Sequence, residues 1–269
     1  MNAHRRQLLA LVAAAAVPGA HAVQRQSLVD PMRLGVEQAL LDSGLAIQFQ
    51  KAFGRDTGVA VQLVPGRSAD LIATLERGEI DAAMTNAPEM EAALEKQGLA
   101  HDRHLIALGD FVLVGALVGS GKKAVDAAGI KGEKDIAAAL AQLAEAKARF
   151  IGPANGSGAH LASQALWRTA KVAPAAPWYL ETKDPKGALA QAAAEGAYTL
   201  VERGVWLSHG TKALSVLVEG DPRMANEVHV MRSFRVNHPA AKLFGQWVSG
   251  GQGRRVAASV RGWRSAPKG

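Results

Sequence analysis

The sequence predicts an α/β chain folded into two lobes around a cleft, and three observations carry that prediction. Residues 32–85 alternate strand, helix, strand, helix, strand. The chain after residue 150 repeats this alternation without repeating the sequence. In each half a glycine-bearing turn leads from a strand into a helix: Pro65-Gly66-Arg67-Ser68 in the first, Asn155-Gly156-Ser157-Gly158 in the second. Such alternation implies a parallel sheet with right-handed crossovers, whose loops gather at the strand carboxyl ends where ligands bind.

Taken in order, residues 1–22 read as a secretory signal peptide cut after Ala22. Arg5 and Arg6 precede an apolar run over 8–17, and Ala20-His21-Ala22 closes it. The arginine pair also fits a twin-arginine signal. The run falls well short of the roughly 20 residues a membrane span needs. There is no cysteine, which excludes a lipid-anchored lipoprotein and a disulfide framework. The expected product is an exported protein of a bacterial periplasm. Its formal charge of +7 falls by two, to +5, when Arg5 and Arg6 are removed. Arg254, Arg255, Arg261, Arg264 and Lys268 lack interleaved aromatics, so they read as a solvated end rather than a nucleic-acid surface.

A strand is expected at 32–36, then a helix over 40–53 with Leu41, Leu45, Phe49, Ala52 and Phe53 at helical spacing, stopped by Thr57-Gly58. Strand 59–64 enters the first glycine turn, helix 69–77 ends at Gly78, and strand 80–85 completes the βαβαβ unit. Helix 89–97, an irregular stretch and an apolar strand at 111–118 follow. Gly119 to Lys123 fails the P-loop spacing, because Ala116 stands where the first glycine belongs and Lys123 where Ser or Thr would hold magnesium. It reads as a linker. A helix at 133–147, a strand at 150–151, helix 158–170, a strand at 178–180, helix 185–195 and strands 197–201, 214–218 and 228–234 come next, closed by helices 240–248 and 252–260. The lobes then comprise 27–115 with 231–269, and 116–230, joined by two crossovers.

At the second glycine turn the first helical N–H groups lack intrahelical partners and carry the positive end of the helix dipole. Asn155 and Ser157 each suit an N-cap or a ligand contact. Ser157 and His160 are neighbours at helical spacing, but no acidic third member is near and the Gly-x-Ser-x-Gly elbow is absent. Catalysis is therefore not expected. His101-Asp102-Arg103-His104 reads as loop polarity rather than a metal site. Trp167, Trp178, Trp206 and Trp247 lie in apolar patterns and read as core.

Several short words run in order along nearly the whole mature chain. They are Asp42-Ser43-Gly44-Leu45, Gly78-Glu79-Ile80-Asp81, Asn86-Ala87-Pro88, Asp110-Phe111-Val112-Leu113-Val114-Gly115 and the Ser157-Gly158-x-His160 core. Trp178-Tyr179-Leu180-Glu181, Gly196-Ala197-Tyr198-Thr199-Leu200, Arg203-Gly204-x-Trp206-Leu207 and Val218-Glu219-Gly220-Asp221-Pro222-Arg223 continue them. By these words the chain resembles the periplasmic substrate-binding proteins of tungstate-type ABC importers. The resemblance implies a type II periplasmic binding protein fold, a PBP-like domain of two lobes that close on a small anion. It also implies delivery of that anion to an ABC permease, with no cofactor, no metal and a monomeric state.

The departures fall at the ligand. The family carries a Thr-Thr-Thr-Ser run at the end of the first strand, where this chain has Val36-Glu37-Gln38-Ala39. The family arginine before Ser-Gly is Pro153 here, and its Gly-Thr-Gly-Gln word is Gly66-Arg67-Ser68-Ala69. The family's glycine-rich loop near residue 184 reads Thr182-Lys183-Asp184-Pro185-Lys186-Gly187. Three readings stay open. Arg67 takes over charge pairing with a carboxylate, phosphate or zwitterion while Glu37 meets a cationic group. Arg67 and main-chain N–H groups hold tungstate or molybdate. Or Glu37 and Arg67 pair with each other across an emptier cleft, leaving a degenerate or sensory binding fold that works through a protein partner. The candidate ligand-binding residues are Glu37, Gln38, Arg67, Ser68, Asn155, Ser157, Gly158 and His160.

Overall fold

Strand β1 (Met32–Glu37), buried at five of its six positions, lies inside the first sheet. The computed structural model describes residues 27–119, 121–182 and 187–267. The expected signal peptide, the loop at 183–186 and Lys268 lie outside these residues.

After β1 come helices α1 (Gln38–Asp42) and α2 (Leu45–Thr57), not the single helix expected over 40–53. The break is Gly44, whose φ of 81° is left-handed and cannot continue a helix. Strand β2 (Val61–Gly66) leads into α3 (Ser68–Glu76), and β3 (Ala82–Thr85) into α4 (Pro88–Lys96), which starts on proline. The stretch expected to be irregular is instead the first part of a long strand, β4 (Ala100–Gly115). Its alternation is hidden in the sequence by register shifts near His101–His104 and Leu105–Ala107 and by Asp102 at φ 53°.

The second half runs α5 (Ile136–Glu145), β5 (Phe150–Gly152), α6 (Gly158–Thr169), β6 (Tyr179–Glu181), α7 (Ala188–Glu195) and β7 (Thr199–Glu202). Helix α8 (Arg203–His209) follows with no loop, and sequence periodicity did not reveal it. It is only 7 residues long and holds Gly204, where a β-carbon would lie 2.7 Å from Trp263 Nε1. Strands β8 (Ser215–Val218) and β9 (Ala225–Ser233), helices α9 (Pro239–Ser249) and α10 (Gly251–Ser259), and strand β10 (Arg264–Ser265) complete the chain.

The sheet order is β10-β4-β9-β3-β1-β2, with β1 parallel to β2 and β3, and β9 antiparallel to β3 and β4. Strand β4 then changes partners. Its residues from Ala100 to Asp110 pair with β9, while Phe111 to Gly115 pair with β7 and β8. One strand thus belongs to both halves. Each half has its own core: Phe49, Phe53 and Phe244 centre the first, Phe150, Trp167 and Leu140 the second. Phe53 meets Phe244 edge-on at 5.1 Å between ring centroids, and Phe150 meets Trp167 likewise at 5.3 Å. Trp178 packs on Trp167, and Trp247 on Phe53. Among the described residues no helix is long and apolar enough to cross a membrane.

Candidate functional site

The two glycine turns face each other across the junction of the two halves. The Ala69 N–H donates to the Gly156 carbonyl at 3.0 Å, and Arg67 Nη1 donates to the Asn155 carbonyl at 2.9 Å. Helices α3 and α6 therefore begin at one place, one from each half. Their first residues are Ser68 and Gly158, whose N–H groups are free of intrahelical bonds.

Both N–H groups are directed at a carboxylate of the protein itself. Oε2 of Glu37, the last residue of β1, accepts from Ser68 N at 2.5 Å, Ser68 Oγ at 2.6 Å and Gly158 N at 3.3 Å. Glu37 and Ser68 are fully buried. Two helix N-termini and a hydroxyl make a cradle for negative charge, and the group in it is the Glu37 carboxyl. The chain folds this way because Glu37 stands at the carboxyl end of β1, beside Gly66 at the end of β2.

Behind the cradle lies a buried polar chain. Ser68 Oγ is 3.2 Å from Asn86 Oδ1, Asn86 Nδ2 donates to Asn226 Oδ1 at 3.1 Å, and Glu202 Oε1 is 3.5 Å from Asn86 Nδ2. Among the described residues Asn226 Nδ2 has no hydrogen-bond partner. Glu37 and Glu202 repel each other at close quarters. Burial pushes both carboxyls up, and the neighbouring Glu37 charge helps raise Glu202 to about 7. Glu37 accepts from four donors, the Ser68 hydroxyl and the N–H groups of Ser68, Gly158 and Ala39, whereas Glu202 has its own N–H and the distant Asn86 amide, so the ionised form is better supported at Glu37.

Other expected site residues fall elsewhere. Arg67 does not pair with Glu37: its Nε bonds to Asp70 Oδ2 at 2.7 Å, half-exposed, and no contact carries it into the cradle. The i,i+3 spacing on α3 makes Asp70 the nearer carboxylate, while Glu37 is sealed behind Ser68. Gln38 leaves the cradle altogether, because α1 begins at it and its Nε2 bonds to Asp42 at 2.8 Å on the surface. Asn155 is exposed and contributes its carbonyl. Ser157 is the N-cap of α6, its hydroxyl accepting from His160 N at 3.1 Å. His160 supports the turn from beneath: Nδ1 accepts from Gly156 N at 3.4 Å, and Nε2 faces Glu181 at 3.2 Å.

Sequence reasoning missed Asn86, Glu202 and Asn226. Asn86 had a signal, since it follows strand 80–85 at a carboxyl end like the other two turns. Glu202 had the same signal, since it follows the expected strand 197–201, and Asn226 had none. Beside the cradle, and sharing Asn86 with it, lies a mainly apolar cavity of ≈ 370 Å³ lined by Met90, Phe111, Leu161, Gln164 and Asn226 among others. Among the described residues no cluster of three or more His, Cys, Asp or Glu could hold a metal ion.

Comparison with known proteins matches residues 38–250 to the PBP superfamily domain. The tungstate-binding protein TupA of Peptoclostridium acidaminophilum is 28% identical over 216 residues, spanning 77% of this chain and 73% of that protein. The crystal structure of the tungstate ABC transporter from Geobacter sulfurreducens superimposes with a TM-score of 0.73 at 26% identity, covering 84% of this chain and 97% of that one. The fold is also that of the tungstate-binding protein TupA from Desulfovibrio alaskensis G20, with a TM-score of 0.70 at 23% identity over 88% of this chain and 99% of the other.

Proposed function

The chain belongs to the PBP superfamily domain family, and on that premise we propose that it is the periplasmic solute-binding component of an ABC importer. It takes a small anion between its two lobes and passes it to a membrane permease. The solute is an oxyanion of the tungstate or molybdate type, as in the named relatives, or a carboxylate of similar size. The protein acts as a monomer without a cofactor, exported by the signal at residues 1–22. The two lobes, 27–115 with 231–269 and 116–230, close by bending where β4 changes partners.

The observation that carries this reading is the convergence of Ser68 and Gly158 N–H groups, from opposite halves, on one carboxyl oxygen. A site fed by both halves binds its anion best when they are together, so binding and closure are one event. Arg67, tied to Asp70 at the rim, contributes to the approach of an anion rather than to its contacts.

A second reading, a binding fold closed on itself that works through a protein partner, is favoured by one observation: Glu37 already fills the cradle. A thermal-shift screen of the chain without residues 1–22 separates the two. The probes are tungstate, molybdate, sulfate, phosphate, dicarboxylates and amino acids. A bound anion at a hundred times its Kd adds about 2.7 kcal/mol to the folded state. A raised midpoint with an anion supports the importer component. No shift with any probe overturns it in favour of the self-closed fold.

A further inference from the structure

We propose that Glu37 is an internal ligand of the anion cradle, and that it sets which solutes the cleft accepts by competing with them for the Ser68 and Gly158 N–H groups. This rests on the reading of the cradle as an anion site.

Among the described residues, the groups that meet Glu37 Oε2 are donors: Ser68 N, Ser68 Oγ and Gly158 N, at 2.5, 2.6 and 3.3 Å. Arg67, next to Ser68 in the chain, is engaged with Asp70 and the Asn155 carbonyl. Glu37 is therefore not one arm of a salt bridge. It sits where two helix N-termini, of 9 and 12 residues, meet, which is the place such termini hold a free anion. One donor comes from the opposite half, so the carboxylate also joins the halves as a bound anion would. A free dianion cannot share this place, since a buried like charge a few ångströms away repels it strongly.

A tethered competitor follows simple arithmetic. If the cradle is free of Glu37 in only a fraction of molecules, the apparent affinity for a solute is reduced by that fraction. Solutes that bring only charge are penalised most, because Glu37 already supplies charge. Displacement requires Glu37 to turn from Ser68 toward the cleft and regain water.

The experiment is calorimetric titration of the chain without residues 1–22, as wild type, Glu37→Ala and Glu37→Gln, with sodium tungstate and sodium sulfate. Circular dichroism establishes that each is folded. Glutamine keeps the size of the side chain and removes its charge, so the test survives if the alanine variant fails to fold. The expected order of affinity is E37A, then E37Q, then wild type, with E37A at least about tenfold tighter than wild type.

A second arm reads pH. Sulfate keeps its charge between pH 8 and 5, and Glu37, raised by its burial, carries less charge as pH falls, so wild-type affinity should strengthen on acidification while E37A shows a flatter profile. The other titratable or charged groups around Glu37 are Glu202 at the end of β7, Asp42 on α1, Arg67 and Asp70 at α3, and His160 on α6. All of them remain in E37A, where Glu202 is no longer raised by the Glu37 charge, so its profile is their contribution without Glu37.

If wild type binds either anion as tightly as both variants do, the competition is overturned while the anion site stands. If the folded variants bind neither anion at millimolar concentration, the competition is overturned together with the oxyanion reading of the site.

Discussion

Gly158 and Asn86 touch with no room between them: a β-carbon on Gly158 would lie 1.7 Å from Asn86 Oδ1. Gly158 is the first residue of α6 and one of the cradle donors, and Asn86 links Ser68 to Asn226. Alanine is the better helix former by up to about 1 kcal/mol, yet here the contact decides. Gly158→Ala must push Asn86 from its place and part the two glycine turns. The expected cost is about 1–3 kcal/mol in urea denaturation, with a larger radius of gyration in small-angle scattering. A variant as stable and as compact as wild type would refute this account of closure.

Glu202 gives a pH dependence whose sign follows from its burial. Its carboxyl is raised from 4.5 to about 7, so between these values the native state holds a proton that the unfolded chain has released. Stability is then fully present below pH 4.5, declines as pH rises toward 7, and is flat above, a span of up to about 3 kcal/mol. The melting temperature of wild type should rise on acidification from pH 8 to 5. Asp221 and Asp102, held below the usual carboxylate range by Arg223 and Arg232, act at lower pH and do not mask the effect. Glu202→Gln should be more stable than wild type at pH 8 and lose the Glu202 share of the slope, leaving the share of the same sign that buried Glu37 contributes. An unchanged slope in this variant would assign the effect elsewhere.

The fold was legible because burial writes itself into period. Continuous apolar runs such as Phe111 to Leu113, and helical spacing such as Leu45, Phe49 and Phe53, put the elements near their places. Elements were misread where local geometry departs from period: Gly44 splitting one helix into two, Asp102 and its bulges hiding half of β4, and the short α8 built around a packing glycine. The two glycine turns, and Ser157 as a cap, were legible because cap chemistry is local. The partner of Glu37 was not. Opposite charge suggested Arg67, but the carboxylate bonds to main-chain N–H groups that no residue code announces, and one of these is 121 residues away.

Arg67 should matter less than its charge suggests. Its side chain is half-exposed, and its ion pair is an i,i+3 contact with Asp70. Such pairs contribute no more than about 1 kcal/mol. Arg67→Ala should leave stability within that range and weaken anion binding only a few-fold, mainly through a slower, less salt-dependent association rate. Stopped-flow association at several ionic strengths checks this. A loss of two or more orders of magnitude in affinity would place the guanidinium on the solute and remove the main-chain cradle from its leading role.

Where β4 changes partners, Arg203 clamps the strand. Its Nε lies 2.8 and 2.9 Å from the two Asp110 oxygens, and its Nη2 bonds to Asp110 and Glu219 at 2.7 Å each. Asp110 is the last β4 residue paired with β9, while Arg203 opens α8 directly after Glu202. The guanidinium thus joins the switch point of the sheet to the end of β8. Its fork meets Asp110 through two nitrogens, which an ammonium cannot reproduce. Arg203→Lys should therefore cost about 1 kcal/mol and Arg203→Ala about 1–3 kcal/mol. In a double-mutant cycle with Asp110→Asn, the two changes should be strongly non-additive. Loosening this point should also let the halves separate more readily, so both variants should gain hydrogen-exchange rate at the β4 amides from Phe111 to Gly115. Additive losses, or unchanged exchange there, would mean that the clamp is surface decoration and that closure bends at another place.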